Sequence, residues 1–264
     1  MLWGEHFRET ISTSCMNKTR LLKIASVLLA LALWQLLAME VGMDMLLASP
    51  VKALARLWGV LREPGFFQTV WYSFLRVSWG FLLAFCAGLV LGVLAGRLRV
   101  LEILLRPYVV TIKTVPVASF IILCLLWMDY DHLTVFIAFL ISFPVIYSNT
   151  LQGIRSTDEK LREVAALYHV PWGKQLVYIY LPSVKPFLLS ASGVAAGMAW
   201  KAGVAAEVIG ILDGSIGEKL YNAKIYFQNA DLLCWTLVIV VLNVASEKLF
   251  VWLLKTLFKG VERL

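Results

Sequence analysis

The chain has 264 residues, 60% hydrophobic and 16% charged, with a formal net charge of +7. Soluble domains average about 45–50% apolar and roughly 25% charged, so this is the composition of an integral membrane protein without a large soluble domain. The positive charges fall between apolar segments, which ties them to membrane topology, and no basic cluster is interleaved with aromatics, so nucleic acid is not expected as a partner.

Residues 1–20 are polar and mixed in charge, and read as a cytoplasmic tail. The apolar run over 21–41 is long enough to stay as a span, with no cleavable signal pattern before it. "SPVKALARLWGVL", from Ser49, is amphipathic through Val51, Leu54, Ala55, Leu57 and Trp58. It predicts a short helix lying at the outer interface or covering the bundle. Further spans are expected over 70–96, 107–128, 133–150 (bent at Pro144), 186–212 and 232–254. Their lengths and lack of alternation favour helices over barrel strands. The fold class is thus all-α integral membrane with six transmembrane helices. The span over 70–96 carries Gly80, Ala84, Gly88, Gly92 and Gly96 at four-residue spacing, a ridge that lets another helix approach closely.

Lys and Arg crowd the segments before the first span, around Arg97–Arg106, across Arg155–Lys185 and after the last span, against Lys52, Arg56, Arg62, Lys219 and Lys224 on the other side. The richer side is cytoplasmic by the positive-inside rule, which puts both termini inside. Cys15, Cys86, Cys124 and Cys234, and likewise His6, His132 and His169, are too scattered for a metal site, and no cofactor is expected.

One cytoplasmic stretch, over about 151–185, is half polar. Ser156 and Glu159 match a capping box that predicts a helix start near Thr157. Leu161, Val164, Ala165 and Tyr168 then share one helical face. Pro171 disfavours helix at Val170, so the first helix should stop near His169 and a second run to about Tyr180, before Leu181-Pro182. The mixed charge lacks the signature of anionic-lipid binding, which favours a protein partner.

This stretch, "EVAALYHVPWGKQLVYIYLP", resembles the EAA loop of permease subunits of bacterial ABC importers. Glu163 and Ala165 match its first and third positions, with Val164 at the second. Ile179, Leu181 and Pro182 match its end at the correct spacing. His169 stands where the family has Gly, a position expected to take left-handed geometry. "GIRSTDEKLREVAALYHVPW", "AWKAGVAAEVIG" and "FQNADLLCWTLVIVVLNVASEKLF" are similar to the branch importing nitrate, sulfonates, taurine and related solutes. The resemblance implies a type I importer permease fold over 21–255, with a cytoplasmic tail over 256–264. It also implies a homodimer of permease copies in the bilayer, a cytoplasmic ABC ATPase dimer and an extracytoplasmic substrate-binding protein. The loop would be the coupling helix that docks in the ATPase. Glu163 would face a basic partner residue, Ala165 would allow close approach, and Leu181-Pro182 would end the element.

Arg76, Lys113, Lys201 and Glu207 fall in or near spans, where ionisable residues default to function. Arg76 and Glu207 have a wet outer-interface position as the alternative, and Lys113 the cytoplasmic side. Lys201 is deep enough either to line the translocation path, drawing an anion, or to sit in an internal ion pair. Glu207 is the second path candidate, and no further acidic residue is expected deep in a span. No Walker A, Gly-x-Ser-x-Gly or His-Glu-x-x-His pattern occurs in the sequence, so the chain is expected to be non-catalytic, with hydrolysis of ATP left to a partner. A thiamine-precursor pyrimidine or other small metabolite is the alternative solute. A gradient-driven secondary transporter is the competing class, and it has no use for an ATPase-docking loop.

Overall fold

The computed structural model describes residues 22, 25–42 and 48–261, which are helices and connecting turns without a strand. The tail over 1–20 lies outside the described residues. The chain divides into two compact units, residues 1–63 with 223–234, and residues 64–222 with 235–264.

In the first unit α1 covers Ala25–Val41 and α2 covers Pro50–Leu61. Ser49 caps α2, its Oγ accepting the Lys52 N–H at 3.3 Å, and Pro50 follows where no helical N–H is needed. Ala53 and Val60 are buried, while Val51, Leu54 and Trp58 are exposed, so the helix is amphipathic as its sequence predicts. Arg56 pairs with Glu63 at 2.8 Å and with Asp231, and the Cys234 thiol donates to the Ala53 carbonyl.

The second unit is built on α3 (Phe66–Arg97), α4 (Arg99–Thr114), α5 (Val117–Leu125), α6 (Tyr130–Arg155), α7 (Glu159–Leu167), α8 (Trp172–Gln175) and α9 (Leu181–Gly210). After these come α10 (Ile216–Ile225) and α11 (Asn229–Val261). The glycine ridge of α3 packs on α6. A Cβ added at Gly88 would lie 2.9 Å from Ile146 Cβ, at Gly92 2.7 Å from Thr150 Cβ, and at Gly96 2.8 Å from Ile154 Cγ2. Partners rise together at a constant offset of 58 positions, so α3 and α6 run parallel. Parallel neighbours require the chain between them to return across the layer, which only α4 and α5 are placed to do.

Those two helices replace the single helix expected over 107–128. They are bent by 101° at Val115-Pro116, where both residues are extended. Proline disfavours helix at the preceding residue and supplies no N–H of its own. Broken backbone at membrane depth needs internal partners. Here the Thr111 carbonyl accepts the Val115 N–H at 3.0 Å and the Thr114 hydroxyl at 3.1 Å, and the Pro116 carbonyl accepts the Ser119 N–H at 3.0 Å. Lys113 Nζ donates to Ser148 Oγ of α6 at 2.8 Å.

The α9 helix runs antiparallel to α6. Gly153 meets Val184, Ser142 Oγ donates to the Ala195 carbonyl at 3.2 Å, and Gly210 meets Leu133. By the same reasoning α11 is antiparallel to α9, since Gly193 faces Glu247 and Gly197 faces Asn243. The end of α11 therefore lies on the same side as the loop between α6 and α9. Among the described residues four helices are long and apolar enough to cross a membrane, or five if the bent pair is one span. The described part of α1 is shorter, at the lower end of the roughly 17–25 residues a span needs.

The α3–α6 seam leaves no space for a side chain. Gly92→Leu is expected to destabilise the purified permease by about 1–3 kcal/mol through overpacking. Gly173→Ala, where a Cβ meets nothing within 4 Å, should be neutral. Thermal unfolding of both variants in the same detergent measures the difference.

Candidate functional site: the loop between α6 and α9

The loop begins where α6 ends. Ser156 is not an N-cap, contrary to the capping-box expectation. It closes α6, its N–H donating to the Gln152 carbonyl and its hydroxyl to Gly153. Asp158 caps α7 instead, accepting the Lys160 N–H at 2.9 Å. The end of one helix and the start of the next compete for the same residues, and the preceding helix keeps the serine.

Ala165 is 3% exposed, held against the protein, while Leu161, Val164, Leu167 and Tyr168 are each more than half exposed. Glu163 on the same helix and His169 just past its end are also exposed. Four large apolar side chains over about two turns of solvent-facing helix form a patch suited to a partner.

The α7 helix closes at His169, which has φ +49. The His169 N–H donates to the Ala166 carbonyl at 3.1 Å and the Val170 N–H to the Ala165 carbonyl at 2.9 Å. These two bonds are the Schellman arrangement, with its left-handed position filled by a residue other than glycine. The expectation for this position holds, at the cost of strain that glycine avoids.

Beyond Pro171 the chain does not stop at Leu181-Pro182 as expected. The short α8 widens into a π turn over Leu176–Tyr180 and runs on into α9, one helical segment from Trp172 to Gly210. Pro182 has no N–H and its ring crowds the carbonyl four residues back. The π turn absorbs that crowding: the Leu181 N–H reaches the Leu176 carbonyl, and the Ser183 hydroxyl donates to the Ile179 carbonyl at 3.0 Å. Ile179 therefore lies in the π turn, and Leu181 and Pro182 open α9. The loop is also fastened to α3. The Arg97 guanidinium lies 4.7 Å from the Trp172 ring, which is 5.1 Å from the Tyr180 ring.

Within the spans, Lys201 is exposed on α9 and, among the described residues, has no hydrogen bond or ion pair. It continues the i, i+4 ridge of Gly193 and Gly197. Glu207 is fully buried and stands apart from Lys201. Its Oε2 accepts the Ser73 hydroxyl at 2.9 Å and the Gly217 N–H at 3.2 Å. Arg76 pairs with Asp131 at 2.7 Å. Two groups were missed from the sequence. Glu247 stands well inside α11, its Oε1 against Gly193, contrary to the expectation that no further acid lies deep in a span. Asn243, one turn before it, was the signal: two polar side chains at i, i+4 on an apolar helix. The Arg97–Trp172 contact joins residues too far apart in sequence to be read as a pair.

With this geometry in place, comparison places the chain among known proteins. Residues 88–261 match the family described as the binding-protein-dependent transport system inner membrane component. A Bacillus subtilis protein named "Putative aliphatic sulfonates transport permease protein SsuC" is 30% identical over 228 residues, 85% of this chain and 82% of that one. The nitrate import permease protein NrtB of Synechococcus elongatus is 29% identical over 73% of this chain and 72% of its own length. The bicarbonate transport system permease protein CmpB of the same species is 25% identical over 77% and 73%. The chain belongs to the binding-protein-dependent transport permease family. It is a multi-pass membrane protein and a non-catalytic subunit of an ABC importer, which works with a partner ATPase and a substrate-binding protein.

The left-handed turn generates a prediction. His169→Gly should stabilise the loop by about 1 kcal/mol and His169→Val should destabilise it by about as much or more. The rate of limited proteolysis between α7 and α8 in the purified permease reads both changes.

Proposed function

We propose that this chain is the pore-forming permease of an importer for a small anion, such as a sulfonate, nitrate or bicarbonate. Residues 21–255 form a six-span domain, both termini are cytoplasmic, and two copies assemble around the path. The loop over 151–185 docks in the ATPase through Glu163, Val164 and His169, while Ala165, which faces the protein itself, seats α7, and Ile179, Leu181 and Pro182 link that dock to α9. Lys201 lines the path, and Glu207 holds its outer end. The observation that carries the loop assignment is the exposed apolar patch of α7 beside Glu163, closed by the turn at His169. Lys201 supports the anion: an exposed ammonium on a membrane helix needs water or a counter-charge. The names of the relatives point to the same class of solute.

Uptake of labelled nitrate, methanesulfonate and bicarbonate by cells expressing the permease with its ATPase and binding protein tests the solute class. Saturable uptake of one of them fits the proposal, and uptake of only a neutral or cationic solute contradicts it. Lys201→Met should lower anion uptake by about tenfold, equal to roughly 1.4 kcal/mol, with assembly unchanged.

Glu163→Gln should weaken ATPase association by about 1.5–3 kcal/mol, and Glu163→Lys by more, because reversal adds repulsion. Copurification of the ATPase with each variant measures the order. In a background without native cysteines, an impermeant maleimide should label Asp129→Cys in intact cells and leave Lys174→Cys untouched.

A further inference from the structure

Among the buried polar atoms of the second unit that lack partners within the described residues, two carry opposite character. One is Nη1 of Arg76 on α3, and the other is Oε1 of Glu207 on α9. The rest of each side chain is committed. Arg76 Nη2 donates to Asp131 Oδ1 at 2.7 Å, and its guanidinium lies 3.9 Å from the Tyr72 ring. Glu207 Oε2 accepts the Ser73 hydroxyl and the Gly217 N–H, and Ser73 Oγ in turn accepts the Ile216 N–H at 2.9 Å. Glu207 and Ser73 thus hold the first turn of α10 between them.

Ser73 and Arg76 are three residues apart on α3, so they share a face of the helix. Ser73 is the residue that binds Glu207, so Arg76 stands about one turn along α3 from the Glu207 carboxyl. A donor lacking an acceptor and an acceptor lacking a donor therefore lie in one neighbourhood, where each is costly to leave unmade. The partner Arg76 does have is weakly held, because the Asp131 side chain is 79% exposed against 15% for Arg76, and wet ion pairs contribute little. The α10 turn cannot ignore a movement of Glu207: a Cβ on Gly217 would lie 2.2 Å from Glu207 Cβ. Between the two, Ile211 has φ +50, a conformation that a β-branched residue adopts only under constraint.

We propose that Arg76 is a positioning residue with two stations, Asp131 in this conformation and Glu207 in another. At the second station the guanidinium draws the carboxylate away from Ser73 and Gly217, and the first turn of α10 is released. Asp131 stands at the start of α6, on the side opposite the α6–α9 loop. On the importer reading above, on which this step rests, that is the side where the binding protein docks. A basic residue of the binding protein that takes Asp131 would send Arg76 to Glu207, so docking at the surface would unlatch α10 over the outer end of the path.

The test needs no solute. Ile216→Cys, buried here, is introduced into the full permease–ATPase complex without native cysteines, and its labelling by an impermeant maleimide is timed in proteoliposomes in which the α10 side faces the reagent. Asp131→Asn removes the surface station and should raise the labelling rate several-fold without binding protein. Adding Glu207→Gln or Arg76→Gln to Asp131→Asn should abolish the rise, whereas Arg76→Lys should retain part of it. An unchanged rate in Asp131→Asn overturns the switch, as does a rise that survives Glu207→Gln, since that marks simple loosening. Lys219→Cys, farther along α10, is the second reporter if Ile216→Cys fails to reach the membrane. A rise in Asp131→Asn that Glu207→Gln abolishes, together with no response of the wild-type complex to binding protein, keeps the switch and removes the importer-side trigger.

Discussion

The parallel contact between α3 and α6 is the constraint on which the second unit depends. Three glycines, Gly88, Gly92 and Gly96, meet Ile146, Thr150 and Ile154 at one constant register. In a bilayer no hydrophobic force favours one helix neighbour over lipid, so close approach of backbones must supply the attraction. Once these helices are parallel, α4 and α5 must bring the chain back across the layer, despite a bend no straight span would have. The α9 helix must then run the opposite way and α11 the opposite way again. The loop of α7 and α8 and the end of α11 therefore share a side.

That arrangement gives the loop its mechanical connections. Two spans are tied to it directly, α3 through Arg97 on Trp172 and α9 through the π turn before Pro182. A π turn is an insertion in a helix, often found where function requires local adjustment. Here it lies between the exposed face of α7 and the helix that carries Lys201 and Glu207. A displacement of α8 reaches the span that bears the charged residues through a continuous helix and α3 through a stacked cation, and α7 is joined to α8 by the turn at His169 and Val170.

Much of this was legible in the sequence, for local reasons. The four-residue glycine spacing marked the α3 ridge, because small residues on one stripe have one structural use at membrane depth. The EAA-like pattern marked the loop, and the left-handed geometry at His169 followed from a family glycine. What was not legible arose from competition between neighbours. Ser156 suits an N-cap, but α6 claims it as a terminus. Pro116 breaks a span that hydropathy reads as continuous, because hydropathy carries no directional information. Leu181-Pro182 looks like a stop, but a widened turn accommodates the proline and the helix continues. Glu247 is hidden in an apolar run. The Glu207–Ser73–Gly217 cluster joins three elements far apart in sequence, which no periodicity reveals.

The central claim is that the exposed face of α7 is a docking surface for the ATPase of an importer. A photoactivatable side chain at Leu167, 75% exposed, tests it most directly in membranes containing the permease with its ATPase. The account predicts a crosslink to the ATPase that is lost when Glu163→Lys is added. Crosslinking to lipid alone, with the ATPase still bound elsewhere, would contradict it.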